Sequence, residues 1–194
     1  MVLANGGDGY YGGWNAGNMA ADQAAVTKFA MGQSEFLEAP VNDTGPGVWT
    51  AQQFRLNTAH AKILILLLAY NQPIDLLTGQ QIDVDKALHY TNSKEYHHIF
   101  PSNFLSAKGV STRRANLLAN FVMLTADSNK ISNRAPSEYL KEVEAALGND
   151  LKRALESILI SEAAYAVAKK DDYDTFLEER AKTIHARSKE LTVW

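Results

Sequence analysis

The stretch Tyr96-His97-His98-Ile99-Phe100-Pro101 is followed, after a loop, by Asn120-Phe121-Val122-Met123-Leu124-Thr125 and then by Asp127-Ser128-Asn129-Lys130-Ile131-Ser132-Asn133-Arg134. Its first two pieces are short, apolar and strand-like. Adjacent histidines in a regular strand point to opposite faces. A strand that ends near Pro101 lets the backbone turn and bring both imidazoles to one cleft; the other reading of a His-His pair is a surface or core-edge pair. Asn120, opening the second run, is either turn chemistry or a brace for the histidine loop through bonds to its backbone. If the third piece is helical, Asn129 and Asn133 share one face, as do Lys130 and Arg134. Amide oxygens suit hard divalent cations, and paired cations suit phosphates. The bland reading of these residues is helix capping and solvent exposure. The order is strand, strand, helix.

Working outward, both flanks read as helical. Thr50 looks like an N-cap for one long helix to about Tyr70, apolar all round in its second half and stopped by Asn71-Gln72-Pro73. Residues 74–90 are short and turn-rich around Thr78-Gly79. Beyond Pro136, a first helix lines Tyr139, Val143 and Leu147 on one face and ends at Gly148-Asn149. A second is expected over 150–169 and a third over 173–191. His60 lies in the apolar helix and reads as a core or boundary histidine. Residues 1–49 form an irregular Gly-rich lead-in and linker, with a short helix near Ala20 to Met31. Residues 50–194 form the helical domain.

Composition bounds the rest. The 194 residues suffice for one domain, and 46% hydrophobic with 21% charged residues is ordinary for a soluble globular protein. Cysteine is absent, which excludes disulfides and thiolate metal sites and fits a reducing cytoplasm. Met1-Val2-Leu3-Ala4-Asn5 lacks the basic and long apolar regions of a secretory signal. The apolar run from Ile63 to Tyr70 is far shorter than the roughly 20 residues of a membrane span. A cytoplasmic protein without membrane partners is expected. Net charge is −3, which argues against indiscriminate coating of nucleic acid. From Thr91 to Arg134, however, six Lys and Arg face two acids. That basic segment points either to a phosphate-bearing ligand or to a solvated loop with scattered cations.

The strand–strand–helix order with these residues resembles the HNH endonucleases, whose ββα-metal finger has this layout. More closely, Tyr96-His97-His98-Ile99-Phe100-Pro101, Asn120-Phe121, Asn129-Lys130-Ile131-Ser132-Asn133 and Pro136-Ser137-Glu138-Tyr139-Leu140 resemble the C-terminal nuclease domain of GmrSD-type restriction proteins, which are bacterial defence enzymes. Ile74-Asp75-Leu76-Leu77-Thr78-Gly79 and Tyr173-Asp174-Thr175-Phe176-Leu177-Glu178-Glu179-Arg180-Ala181 extend the likeness to both flanks. The fold implied is mainly α, a helical domain enclosing a small ββα-metal finger at about 94–134. No counterpart is visible of the N-terminal nucleotide-handling domain such proteins often carry.

The resemblance implies roles residue by residue. His98 matches the general base, and Asn120 the residue that orients it. His97 stands where many relatives have Asp, as a metal ligand. Asn129 matches the last ligand position, with Asn133 a candidate one turn on. Lys130, Arg134, Arg113 and Arg114 are expected phosphate contacts. The cofactor implied is a divalent metal, Mg²⁺ or Mn²⁺ first, with Ni²⁺ or Zn²⁺ favoured somewhat by the His at 97. The partner implied is DNA, cut one strand per finger, so that a double-strand break needs two events or a homodimer. Two other readings compete: a non-catalytic nucleic-acid-binding or interaction module, and a structural histidine–metal site in a helical protein.

Overall fold

The computed structural model describes residues 16–36, 45–85, 96–125 and 134–191. The architecture is mainly α. Helix α1 spans Ala16–Ala30 and α2 spans Gly47–Ala51. The single helix expected from Thr50 to Tyr70 is instead interrupted. Gln52 turns extended, and Thr58 starts α3 (Ala59–Tyr70) by accepting a hydrogen bond from the Ala61 N–H. The physical reason is a tertiary pairing that outcompetes helix propensity. The Phe54 N–H donates to the Asn116 carbonyl (2.8 Å), the Leu118 N–H donates to the Gln52 carbonyl (2.9 Å), and Gln53 bridges Leu117. Helix α3 then buries Ala61, Ile63, Leu64, Leu67 and Leu68 completely or nearly so, with His60 also inside.

Strand β1 (Tyr96–His98) and strand β2 (Phe121–Met123) form an antiparallel ribbon with His97 opposite Val122 and His98 opposite Phe121. Between them run α4 (Ser102–Ala107), α5 (Thr112–Ala115) and a tight 3₁₀ turn, Leu118–Asn120. Ser111 caps α5 by accepting from the Arg114 N–H. Asn120 therefore ends a turn and does not open the strand.

Helix α6 covers Pro136–Leu147, with proline at its start and Gly148 (φ 51°) at its end, as its composition predicts. The helix expected over 150–169 is two helices, α7 (Leu151–Ser157) and α8 (Glu162–Ala168). Leu159 breaks it by adopting φ 60°, and Ser161 restarts it by accepting from the Ala164 N–H. The carbonyls of Ile158 and Leu159 at this break find their donor in a side chain of α9 (Tyr173–Glu190).

That side chain is Arg180. It lies on the buried stripe Tyr173, Phe176, Leu177, Arg180, Ala181 and Ile184, at the helical spacing of an inward face. Its guanidinium, fully buried, also donates to the carbonyls of Ala119 (2.7 Å) and Phe121 (2.6 Å). Burial pushes its pKa down to about 9, which still leaves it protonated near neutrality. One cation thus ties the α7–α8 break to the start of β2.

A second buried charge works from the other side. The fully buried Asp75 carboxylate accepts from the Leu77 and Thr78 N–H groups with one oxygen. With the other it accepts from the N–H and hydroxyl of Thr125, just beyond β2. The turn-rich reading around Thr78-Gly79 is correct: Gly79 has φ 69°, and a Cβ there would meet Leu147 Cδ2 at 2.9 Å. Among the described residues no helix is long and apolar enough to cross a membrane.

Candidate active site around His98

Tyr96 and His98 leave β1 on one face, and Phe121, opposite His98, shares it. The His98 ring sits 4.2 Å from the Phe121 ring, tilted by 48°. Phe54 stacks on the far side of the group, 4.2 Å from Phe121 and 5.3 Å from Tyr96. The interruption of the 50–70 helix has a local consequence here: it delivers Phe54 to this aromatic wall. His97 departs from the opposite face, beside buried Val122. Both histidines lie within the paired ladder, and the turn away from it begins only at Ile99. The expectation that the backbone turns early enough to bring both imidazoles into one cleft is therefore not what the register gives.

His98 is half-buried and held by side chains. Its Nε2 lies 2.8 Å from Asn116 Oδ1, and its Nδ1 lies 3.4 Å from Ser102 Oγ. Burial lowers its pKa below the ordinary imidazole value, the Asn116 bond opposes that shift, and the neighbouring His97 adds to it. The ring is therefore neutral at neutral pH, the state a proton acceptor requires.

The loop after His98 is fixed by Asn120, whose amide is completely buried. Its Oδ1 accepts from the Phe100 N–H (2.9 Å), and its Nδ2 donates to the carbonyls of Phe100 (3.0 Å) and Ala115 (2.9 Å). The Ile99 N–H also donates to the Asn120 carbonyl. Of the two readings left open for Asn120, this is the brace. Tyr139 of α6 donates to the Ile99 carbonyl at 2.7 Å, and burial raises its pKa far above the usual phenol value. Phe100 is buried against Tyr173 and Phe176 of α9, each ring centroid 5.0 Å away. The two residues that follow His98 are thereby anchored in the core.

The remaining expected site residues divide. Arg113 is exposed on α5. Arg114 is ion-paired with Asp174, and its carbonyl accepts from the Tyr173 hydroxyl. Arg134 makes a two-pronged pair with Glu142 on an exposed face. Asn129, Lys130 and Asn133 lie outside the described residues. Among the described residues, no group of three or more His, Asp or Glu side chains is placed to hold a metal, and His97 is the one expected ligand they include. Sequence reasoning missed Asn116, Ser102 and Phe54. For Asn116 a signal existed, since Asn116 and Asn120 are four residues apart in Ala115-Asn116-Leu117-Leu118-Ala119-Asn120.

No family model matches the chain, and no solved structure matches it. It is similar to an uncharacterised protein of Methanocaldococcus jannaschii, 28% identical over 147 residues, a match covering 64% of this chain. The match spans 24% of that protein's length, so the chain corresponds to about a quarter of its relative.

Proposed function

We propose that the chain is a metal-dependent DNA endonuclease of the HNH type, similar to the nuclease portion of GmrSD-type proteins and acting in defence against foreign DNA. The observation that carries this reading is a half-buried histidine at a strand end, whose burial favours the neutral ring, with the loop after it braced by a buried asparagine. In this reading, residues from about 94 to 134 make the ββα finger, and His98 is the catalytic base. Water is a poor nucleophile at neutral pH. His98 takes a proton from the attacking water as its oxygen bonds to phosphorus, and the 3′-oxygen leaves with the electrons of the broken P–O bond. Phe121, itself stacked on Phe54, lies against the ring and keeps bulk water from that side of it. Among the described residues, Arg113 is the expected phosphate contact not taken up by an ion pair of the kind that occupies Arg114 and Arg134.

A divalent cation, Mg²⁺ or Mn²⁺ first, would neutralise charge developing on the phosphate and the leaving oxygen. The described residues alone do not supply its ligand set. His97, which leaves β1 on the face opposite His98, would need Asn129 and Asn133, and no step of the mechanism is routed through them. A double-strand break would require two copies or two events.

The test is plasmid cleavage at high protein concentration with Mg²⁺, Mn²⁺ and Ni²⁺ in turn. Nicking that disappears in His98→Ala, with DNA binding retained, supports the proposal. Intact plasmid under all three metals overturns it, and retained DNA binding would then favour the non-catalytic module.

A further inference from the structure

We propose that Asn116 is the positioning residue of His98, holding the ring as the Nε2–H tautomer and leaving Nδ1 as the atom that accepts the proton. The catalytic half of this statement rests on the nuclease reading; the tautomer half stands on geometry alone.

A neutral imidazole has one donor nitrogen and one acceptor nitrogen, and a carboxamide oxygen can only accept. With Oδ1 of Asn116 2.8 Å from Nε2, the proton belongs on Nε2 and the lone pair on Nδ1. Nδ1 faces Ser102 Oγ at 3.4 Å, a long contact for a hydroxyl and one that a water molecule can replace. A ring flip would put Cε1 and Cδ2 where Nε2 and Nδ1 now lie and forfeit both contacts, and Phe121, 4.2 Å away on the flank, leaves it little room.

Asn116 is itself unusually well fixed for a loop residue. Its N–H donates to the carbonyl of Thr112, the first residue of α5, and its own carbonyl takes the Phe54 N–H at 2.8 Å. The residue before it, Ala115, has its carbonyl held by Asn120 Nδ2. The residue after it, Leu117, bridges Gln53. The extended segment 52–54 is therefore a clamp on Asn116, which explains why the chain abandons a helix there. Fixing a tautomer in this way is a general device for a catalytic histidine, and losing it costs rate more than binding.

The experiment combines ¹⁵N-histidine NMR of the whole chain at about pH 8, where imidazole is neutral, with single-turnover cleavage of plasmid DNA in Mn²⁺. The expected result is a proton on Nε2 of His98 in the wild type. Asn116→Ala should then show a shifted or mixed tautomer signal and cleavage slower by about 10–100-fold at unchanged DNA affinity, a loss typical of outer-shell partners of this kind. Asn116→Asp keeps an acceptor oxygen in place and should restore the Nε2–H signature. This rescue separates positioning from folding if the alanine variant is unstable. A wild-type proton on Nδ1 overturns the proposal, as does an alanine variant that folds with an unchanged His98 spectrum. A wild type with the proton on Nε2 that cuts no DNA supports the tautomer assignment and removes the nuclease reading.

Discussion

Two polar centres flank the start of β2, and they are built to opposite specifications. On the α9 side, Arg180 is fully buried, and its guanidinium donors are taken up by backbone carbonyls of Ala119, Phe121, Ile158 and Leu159. On the β1 side, His98 is half-buried, held by one short side-chain bond, with its second nitrogen in a long contact to a hydroxyl. The first arrangement commits four of its five N–H groups to backbone and is built to hold. The second is restrained at one end and loosely held at the other, an arrangement compatible with the proposed proton acceptor. Asn120 belongs with Arg180 in construction and with His98 in location. It is a saturated buried amide whose effect on chemistry passes through the loop it fixes.

Substitutions can break or sharpen this contrast. The largest stability loss is expected for Arg180→Met, which strands four carbonyls in the core. It should cost about 3–5 kcal/mol in denaturant unfolding or abolish folding. Asn120→Ala frees three buried backbone groups and should cost about 2–4 kcal/mol, with cleavage lost alongside. Asp75→Asn places an amide hydrogen against donors it cannot accept and should cost about 1–3 kcal/mol by the same measurement. His98→Ala should lower stability by less than about 2 kcal/mol yet reduce cleavage by roughly 10²–10⁴-fold. If it melts like Arg180→Met, the contrast between the two centres fails. The smallest effect is expected for Arg134→Ala. Its exposed pair with Glu142 should be worth nothing measurable in a melt, and only DNA affinity at low salt should fall.

What could be read in the sequence follows what is local. Pro136 and Gly148 mark the ends of α6 because a missing N–H and a positive φ act on single residues. The residues alone leave Asn120 open between turn chemistry and a brace, and only the family resemblance singles out the brace, because one of its partners, Phe100, lies 20 residues earlier. The two split helices were not legible. Residues 50–70 carry helical spacing, and their break comes from pairing with 116–118, far away in sequence. Residues 150–169 break at Leu159, an unusual residue for φ 60°, because Arg180 supplies a donor to the freed carbonyls. A lone arginine on an amphipathic helix ordinarily reads as solvent-facing, so neither the break nor its partner announced itself. Asn116 showed only its four-residue spacing from Asn120, since its partner lies 18 residues earlier, across α4 and α5.

The turn at 75–79 carries a mechanical consequence. One side of it grips Thr125 through Asp75, and the other rests against Leu147 at Gly79, too close for even a methyl group. The stretch of chain from Thr125 to Leu147 is thus buckled at both ends to a single fastener of five residues. Inserting or deleting a residue within α6 would turn its buried Tyr139, Leu140 and Val143 away from the core and pull Leu147 off the turn. A side chain at Gly79 would instead have to hold a positive φ and push the Leu147 methyl aside.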